Sequence, residues 1–394
     1  MREVVIASAC RTAIGKFQGT ISSIPAPKLG AAVLKGALDR AGLKPDQVDE
    51  VLMGVVLQAG MGQNPARQAL IQAGIPDSQG ATTINKVCGS GLKAVMMAAQ
   101  AIRSEDADVI VAGGMENMSL SPYFLRKGRT GLRLGHGQIE DSMVADGLWD
   151  VYNDFHMGNT AELVSKEYGI TRLDQDEYAA RSQNKASNAQ KEGLFQKEII
   201  PFEVSTRKET ILFDSDEGIR HDASAEGLGK LKPAFQRDGG TVTAGNASTI
   251  NDGAAAVIVT HKEFAQQNSL PILATVKGYA TGGMAPEWVM MAPVLAIQNV
   301  LSKTGISITD IDLFEINEAF AAASVGLVRK LELDESKINV NGGAIALGHP
   351  IGASGARILT TLLHAMEARD KELGLAALCL GGGNAVAMIV QRGA

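Results

Sequence analysis

The chain has 394 residues, enough for two or three domain-sized units, and with 4% aromatic against 45% hydrophobic residues its core must rest on Ala, Val, Ile, Leu and Met. A formal net charge of −6 without any block of like charges gives nothing that favours nucleic acid or an anionic membrane surface, though localised basic residues can still hold an anionic ligand. Cys10, Cys88 and Cys379 lie too far apart for a disulfide framework or a CxxC pattern, and the six histidines show no HExxH spacing, so no metal is expected.

The first residues, Met1-Arg2-Glu3-Val4-Val5-Ile6, run straight into a strand and lack the charged and apolar regions of a signal peptide. No uninterrupted apolar run reaches the ~18 residues of a membrane span, and the last three residues are not a peroxisomal signal. These features together predict a soluble cytoplasmic protein.

Next comes Asn85-Lys86-Val87-Cys88-Gly89-Ser90-Gly91-Leu92-Lys93-Ala94, which places a cysteine between an extended segment and a helix predicted over 92–102. The glycines admit close backbone approach to a ligand. A helix start favours a thiolate, which suits a nucleophile. A buried structural cysteine in a tight turn fits this stretch equally well.

Residues 107–114 read as a strand ending in glycines, and residues 119–250 then change character. They are polar, rich in Arg, Lys, His and Gln, with helices predicted over 159–168 and 173–192. An inserted subdomain carrying binding loops is expected, a solubilising decoration being its blander reading. It closes on Thr243-Ala244-Gly245-Asn246-Ala247-Ser248, with Asn251-Asp252-Gly253 behind.

The remainder repeats the beginning. A helix end, a polar link and an apolar strand surround both Gly42 and Gly305, an offset of 263 residues. Gly-Ser-Gly at 89–91 returns as Ala-Ser-Gly at 353–355, with Gly91 and Gly355 264 apart, followed in each case by a helix and a glycine-ended strand. Near-constant offset over four consecutive features indicates a duplicated α/β half, hence two mixed sheets with helices on their faces.

Three more segments of the second half carry chemistry. Asn317-Glu318-Ala319-Phe320 follows a strand predicted over 311–316. The glycine-dense loop 341–352 presents His349 between Gly348 and Pro350. Cys379 lies on a strand that breaks into Gly381-Gly382-Gly383. A histidine so placed suits an exposed general base with a pKa near neutrality. Two cysteines and a histidine without a metal pattern fit one thiol as nucleophile and the other as proton shuttle, with a redox dithiol as the alternative. The glycine turns can aim backbone N–H groups at a developing oxyanion.

With these blocks assembled, residues 85–94, 317–320, 342–352 and 379–383 resemble the four signature blocks of the thiolases, and the likeness runs from Ala9-Cys10-Arg11-Thr12 to the last strand. The match is with the short-chain biosynthetic branch. The resemblance implies a five-layer αβαβα sandwich of two duplicated α/β halves, residues 1–118 with 251–268 and residues 269–394. A loop domain, 119–250, is inserted in the first and mediates substrate binding and tetramerisation.

It implies ping-pong, reversible condensation of two acetyl-CoA to acetoacetyl-CoA and CoA, with coenzyme A thioesters as substrates and no tightly bound cofactor. Cys88 would carry the acetyl group. His349 would deprotonate it and, beside a water held by Asn317, stabilise the thioester oxyanion. Cys379 would take the α-proton, and the N–H groups of Cys88 and Gly381 would bind the tetrahedral oxyanion. For the coenzyme it implies His156, Met157 (narrowing the acyl pocket), Arg220 near the adenine, Ala244 and Ser248 along the pantetheine, and Leu231, Phe235, Ala319 and Phe320 along the tunnel. Residues 120–146 resemble a tetramerisation loop, giving a homotetramer built as a dimer of dimers.

Departures from the family stand at Met290-Met291-Ala292-Pro293, where two glycines are commonly found, and at Asn384-Ala385. The first, larger residues at Met291 and Ala292, leaves the shape of the acyl pocket and the chain-length preference open. A longer-chain 3-ketoacyl-CoA thiolase of fatty-acid degradation and a non-catalytic CoA- or lipid-binding relative are the alternative functions. Cys10 reads as structural.

Overall fold

The computed structural model describes residues 2–205 and 207–393. The first half runs β1 (Val4–Thr12), α1 (Ala26–Ala41), β2 (Glu50–Gly54), α2 (Pro65–Gln72), β3 (Gly80–Ile84), α3 (Ser90–Ser104) and β4 (Val109–Asn117). After α4 (Met157–Glu167) and α5 (Arg172–Lys191) the sheet resumes with β5 (Asn251–His261). The second half runs β6 (Ala274–Gly283), α6 (Ala292–Thr304), β7 (Leu313–Ile316), α7 (Ala321–Leu331), α8 (Ser354–Ala368), β8 (Leu373–Leu380) and β9 (Asn384–Gln391).

Strand order is β3-β2-β4-β5-β1 in one half and β6-β9-β8-β7 in the other. The two sheets expected from the sequence are one hydrogen-bonded sheet of 11 strands among the described residues, because β1 and β6 pair antiparallel at Val5–Thr275 and Ile6–Ala274. Each would otherwise be an edge strand with open N–H and C=O groups, and each covers the other.

The strands are buried on both faces, and alternate residues enter different cores. Val109 and Val111 of β4 join Leu29, Leu34 and Leu70 of α1 and α2 in one outer core. Ile110 and Ala112 point the other way, onto Leu92 and Val95 of α3 and Leu359 and Leu362 of α8. Ala376 and Leu378 of β8 reach the same central helices, whereas Leu375 and Ala377 face α6 and α7. The result is helix, sheet, helix, sheet, helix.

The duplication extends to single hydrogen bonds. Gly42 and Gly305 end α1 and α6 in the left-handed conformation, at φ 68° and 70°. The Asp49 carboxylate accepts the N–H groups of Asp108 and Val109 at 2.7 and 2.9 Å. Asp312 accepts those of Glu372 and Leu373 at 3.1 and 2.9 Å.

Two expected turns are helix. Ser90 and Gly91 begin α3, and Ser354 and Gly355 begin α8. The glycines are there because the helices touch. A Cβ on Gly91 would lie 2.8 Å from the Ala356 nitrogen, and one on Gly355 would lie 2.3 Å from the Leu92 nitrogen. The strand expected over 311–316 starts at Leu313, since the Ser307 capping box winds Ile308–Asp310 into a 3-10 turn first. Among the described residues no helix is long and apolar enough to cross a membrane.

Backbone atoms cannot rotate away as a side chain can. Gly355→Ala is therefore expected to destabilise the fold by on the order of 3 kcal/mol, read as a lower midpoint in urea, with Gly91→Ala less severe. Equal midpoints for both variants and the parent would contradict the helix contact.

Candidate active site

Cys88 follows a strained turn. Val87 has φ 46°, a left-handed conformation that a β-branched residue adopts at a cost of roughly 1–3 kcal/mol. Side chains hold it there. Asn85 Oδ1 accepts the Val87 N–H at 3.0 Å, and Ser90 Oγ accepts the Lys86 N–H at 2.8 Å while donating to the Val87 carbonyl at 2.6 Å. The sequence suggested glycines for approach to a ligand, but Gly89 is required by packing: a Cβ would meet Leu380 Cδ2 at 2.2 Å. The unusual backbone belongs to Val87 instead.

His349 sits on the loop before α8, only 7% exposed. Its N–H donates to Asn251 Oδ1 at 2.9 Å, and Gly348 has φ 112° where a Cβ would strike the same asparagine. Nδ1 lies 2.6 Å from Ser354 Oγ, which itself lies 2.9 Å from the Pro350 carbonyl oxygen. A hydroxyl has one proton. Given to Pro350, it leaves Ser354 to accept from Nδ1–H, so Nε2 is the bare, proton-accepting nitrogen.

Cys379, at the end of β8, is also buried, and β8 then turns through Gly382 and Gly383 at φ 84° and 77°. The Gly381 N–H points at the Cys88 sulfur and, with the N–H of Cys88 itself, favours the thiolate. Burial opposes this more strongly. Together with the neighbouring Cys379 and Glu116 it pushes the Cys88 thiol up to about 12. Burial likewise lifts Cys379 to about 11. Burial, aided by the Arg357 charge, lowers His349 to about 3, correcting the expectation of an exposed base near neutrality. All three groups are neutral at pH 7.

They converge on a cavity of about 270 Å³, lined by Cys88, His349, Cys379 and Gly381 together with His156, Met157, Phe235, Ala244, Ser248, Ala319 and Phe320. Phe235 stacks on His156 at 4.8 Å and meets Phe320 edge-on at 6.1 Å, with Gly158 giving it room. His156 Nδ1 accepts the Gly158 N–H at 3.1 Å and caps α4. The loop 243–248 is laced to 319–321 by Ser248 N–H to Ala319 O at 2.9 Å and Ala321 N–H to Asn246 O at 2.8 Å.

Three expected residues stand off this lining. Asn317 is buried behind it, and neither amide atom has a hydrogen-bond partner among the described residues. Arg220 is exposed and donates to the Ala244 carbonyl at 3.3 Å, and Leu231 is 37% exposed. Both belong to the rim.

Of residues 290–293, only Met290, which matches the family, reaches the cavity. Met291 and Ala292 pack into the α6–α7 core, Met291 Sδ lying beside Gly326, and neither side chain lines the cavity. Ala385 has no positive φ and sits in ordinary strand pairing opposite Cys379. Cys10 is buried in the outer core, 3.3 Å from the Val33 carbonyl oxygen. Sequence reading missed Met118, Leu148, Ile250 and Ile351 in the wall. It also passed over Ser354, whose signal was a hydroxyl at a helix start five residues after His349. Among the described residues no group of three or more His, Cys, Asp or Glu could hold a metal ion.

Residues 4–263 match the family model described as the thiolase N-terminal domain, and residues 270–392 match the thiolase C-terminal domain. The chain is 57% identical over 393 residues to an acetyl-CoA acetyltransferase of Cupriavidus necator, covering 100% of both chains. It is 56% identical over 393 residues to a protein of the same name from Escherichia coli, again covering 100% of both. The crystal structure of the Bacillus anthracis acetyl-CoA acetyltransferase superposes with a TM-score of 0.97 at 43% identity, covering 100% of this chain and 99% of that one.

The raised thiols set a pH dependence. Below its folded-state pKa a thiol's ionised fraction grows about tenfold per pH unit, so carbamidomethylation of Cys88 should climb without a plateau from pH 7 to about 10. A plateau near pH 7 in the rate profile, followed by peptide mass spectrometry, would show a thiolate stabilised in the resting site instead.

Proposed function

Since the chain belongs to the thiolase family of acyltransferases, we propose that it condenses two molecules of acetyl-CoA to acetoacetyl-CoA and CoA, reversibly and by a ping-pong route through an acetyl thioester on Cys88. The carrying observation is the convergence of Cys88, Cys379 and His349 on one apolar cavity with the Gly381 N–H beside the nucleophilic sulfur. The names of the full-length relatives agree.

In the first half-reaction the Cys88 sulfur attacks the acetyl carbonyl carbon and its proton passes to His349 Nε2. The N–H groups of Cys88 and Gly381 receive the oxyanion. As the C–S bond to coenzyme A breaks, Cys379 gives its proton to the departing sulfur and remains a thiolate. In the second half-reaction that thiolate removes an α-proton from a new acetyl-CoA. A carbon beside a thioester is a weak acid, and a base lifted to about 11 by burial suits it. The carbanion attacks acetyl-Cys88, acetoacetyl-CoA departs, and the proton on His349 returns to Cys88. His349 and a water held by the Asn317 amide would stabilise the enolate oxygen, and the unpartnered amide supports that role.

We read residues 119–250 as the loop domain that supplies one wall of the tunnel, with residues 1–118 and 251–268 as the first half and 269–394 as the second. His156, Met157, Phe235, Ala244, Ser248, Ala319 and Phe320 would flank the acyl-pantetheine, while exposed Arg220 and Leu231 would meet its nucleotide end. Met157, Met290 and the paired Phe235 and Phe320 favour a two-carbon acyl group over a long chain.

Purified protein should cleave acetoacetyl-CoA with CoA far faster than a longer 3-ketoacyl-CoA, and Cys88→Ser should lose at least ~10³-fold in kcat. Equal turnover of the long substrate would move the enzyme to the degradative class, and turnover of neither would leave a CoA-binding relative.

We also propose a homotetramer assembled through the arm at 120–146. Its hairpin of Tyr123–Phe124 and Glu140–Asp141 carries Leu134 at 99% and Ile139 at 70% exposure, too apolar for open solvent. Leu134→Arg should shift the mass in light scattering from tetramer to dimer, and an unchanged mass would remove this arm from the interface.

A further inference from the structure

Glu116, at the end of β4, is wholly buried, and no cation pairs with it among the described residues. Its oxygens accept three backbone N–H groups: Val56 at 3.0 Å, Leu57 at 3.2 Å and Gly352 at 2.9 Å. The architecture itself does not call for a carboxylate. The repeat offset of 264 residues that relates Gly91 to Gly355 relates Glu116 to Leu380, where an apolar side chain packs over Gly89. A buried carboxyl is expensive to keep ionised, and burial lifts this one to about 7; such exceptions gather at working sites.

The three donors come from both sides of the catalytic pair. Gly352 lies in the turn that carries His349 and Ser354, and a Cβ there would lie 2.7 Å from Glu116 Oε2. Val56 and Leu57 form the wall beside Cys88, together with Ile351. The Val56 carbonyl accepts from Asn85 Nδ2 at 3.4 Å, and Asn85 Oδ1 holds the strained Val87 N–H at 3.0 Å. A continuous path of hydrogen bonds thus runs from the His349 turn through Glu116 to the Cys88 turn. The two turns come from different halves of the chain.

We propose that Glu116 is a positioning residue of this reaction, its carboxylate fixing the His349 turn against the Cys88 turn by accepting from both. This rests on the acyltransfer chemistry proposed above. The charge also stands close enough to Cys88 to disfavour its thiolate, with Asp252 of β5 acting on Glu116 itself and Cys379 acting on the same sulfur from β8. Burial raises Glu116 itself to about 7 despite its three N–H donors, so its charge, present above that pH, adds only a minor push on Cys88 beside burial and Cys379, and its main part is to hold the two turns in line.

The test compares Glu116→Gln, which removes the charge at constant shape, with Glu116→Asp, which keeps the charge but withdraws it from Gly352. Both should lower kcat for acetoacetyl-CoA thiolysis by roughly 30–100-fold, the penalty of a small misplacement, with KM within about threefold. Carbamidomethylation of Cys88 at about pH 8 should rise several-fold in Glu116→Gln and stay within about twofold in Glu116→Asp. If kcat stays within threefold of the parent in both variants, or falls only as Tm falls, the proposal is overturned. An inactive parent would sink the function proposed above and this inference with it, whereas an active parent with unchanged kcat in both variants sinks the inference alone.

Discussion

The approach of α3 and α8 at Gly91 and Gly355 is the constraint on which the rest of the molecule depends. Each glycine faces backbone of the opposite helix, so the two helix starts can come together only where neither carries a side chain. Cys88 lies two residues before the first of those starts and His349 five residues before the second. One contact, repeated by duplication, therefore brings a nucleophile from the first half and a base from the second into one cavity. The sheets follow from it: both present their inner faces to the same central helices, and their free edges meet as β1 and β6.

Burial decides the electrostatics of the site. A helix N-terminus stabilises an anion by about 0.3–1 kcal/mol, less than one pKa unit at about 1.36 kcal/mol each. Desolvation moves Cys88 from 9.0 to about 12 despite that helix start and two N–H groups aimed at the sulfur. The same environment keeps His349 unprotonated, which is the form a base requires. Ser354 adds direction by occupying Nδ1 and leaving Nε2 to act. A resting site of neutral groups suits chemistry in which each charge arises with the substrate and meets an N–H or a proton already in place.

Much of this was legible in the residues. The offset between Gly42 and Gly305 exposed the duplication, and β4 and β8 appeared as apolar runs ending in glycines. His349 between Gly348 and Pro350 announced an oriented side chain. Other readings failed where local pattern and tertiary packing diverge. Ser90-Gly91 and Ser354-Gly355 look like turns because glycine usually marks one, yet both are helical and their glycines answer to another helix. Met291 and Ala292 drew attention because they stand where relatives commonly carry glycines near the acyl pocket, but neighbours on a helical turn face different ways, and both pack into the core.

What the sequence determined by itself is the set of local properties: element type from periodicity, the doubled α/β plan from its repeat, and the identity of the reactive thiols and imidazole. Those depend on residue chemistry and short spacings. Only the tertiary structure decided the protonation states, the tautomer of His349, the left-handed Val87 and the burial of Glu116 between two turns. The partners of His349 and Val87 are close in sequence, Ser354 and Asn85 with Ser90, but which of several polar neighbours they engage is set by the folded backbone. Burial of Cys88 and Glu116 depends on atoms more than two hundred residues away, at Gly381 and Gly352, and no short-range pattern encodes that approach.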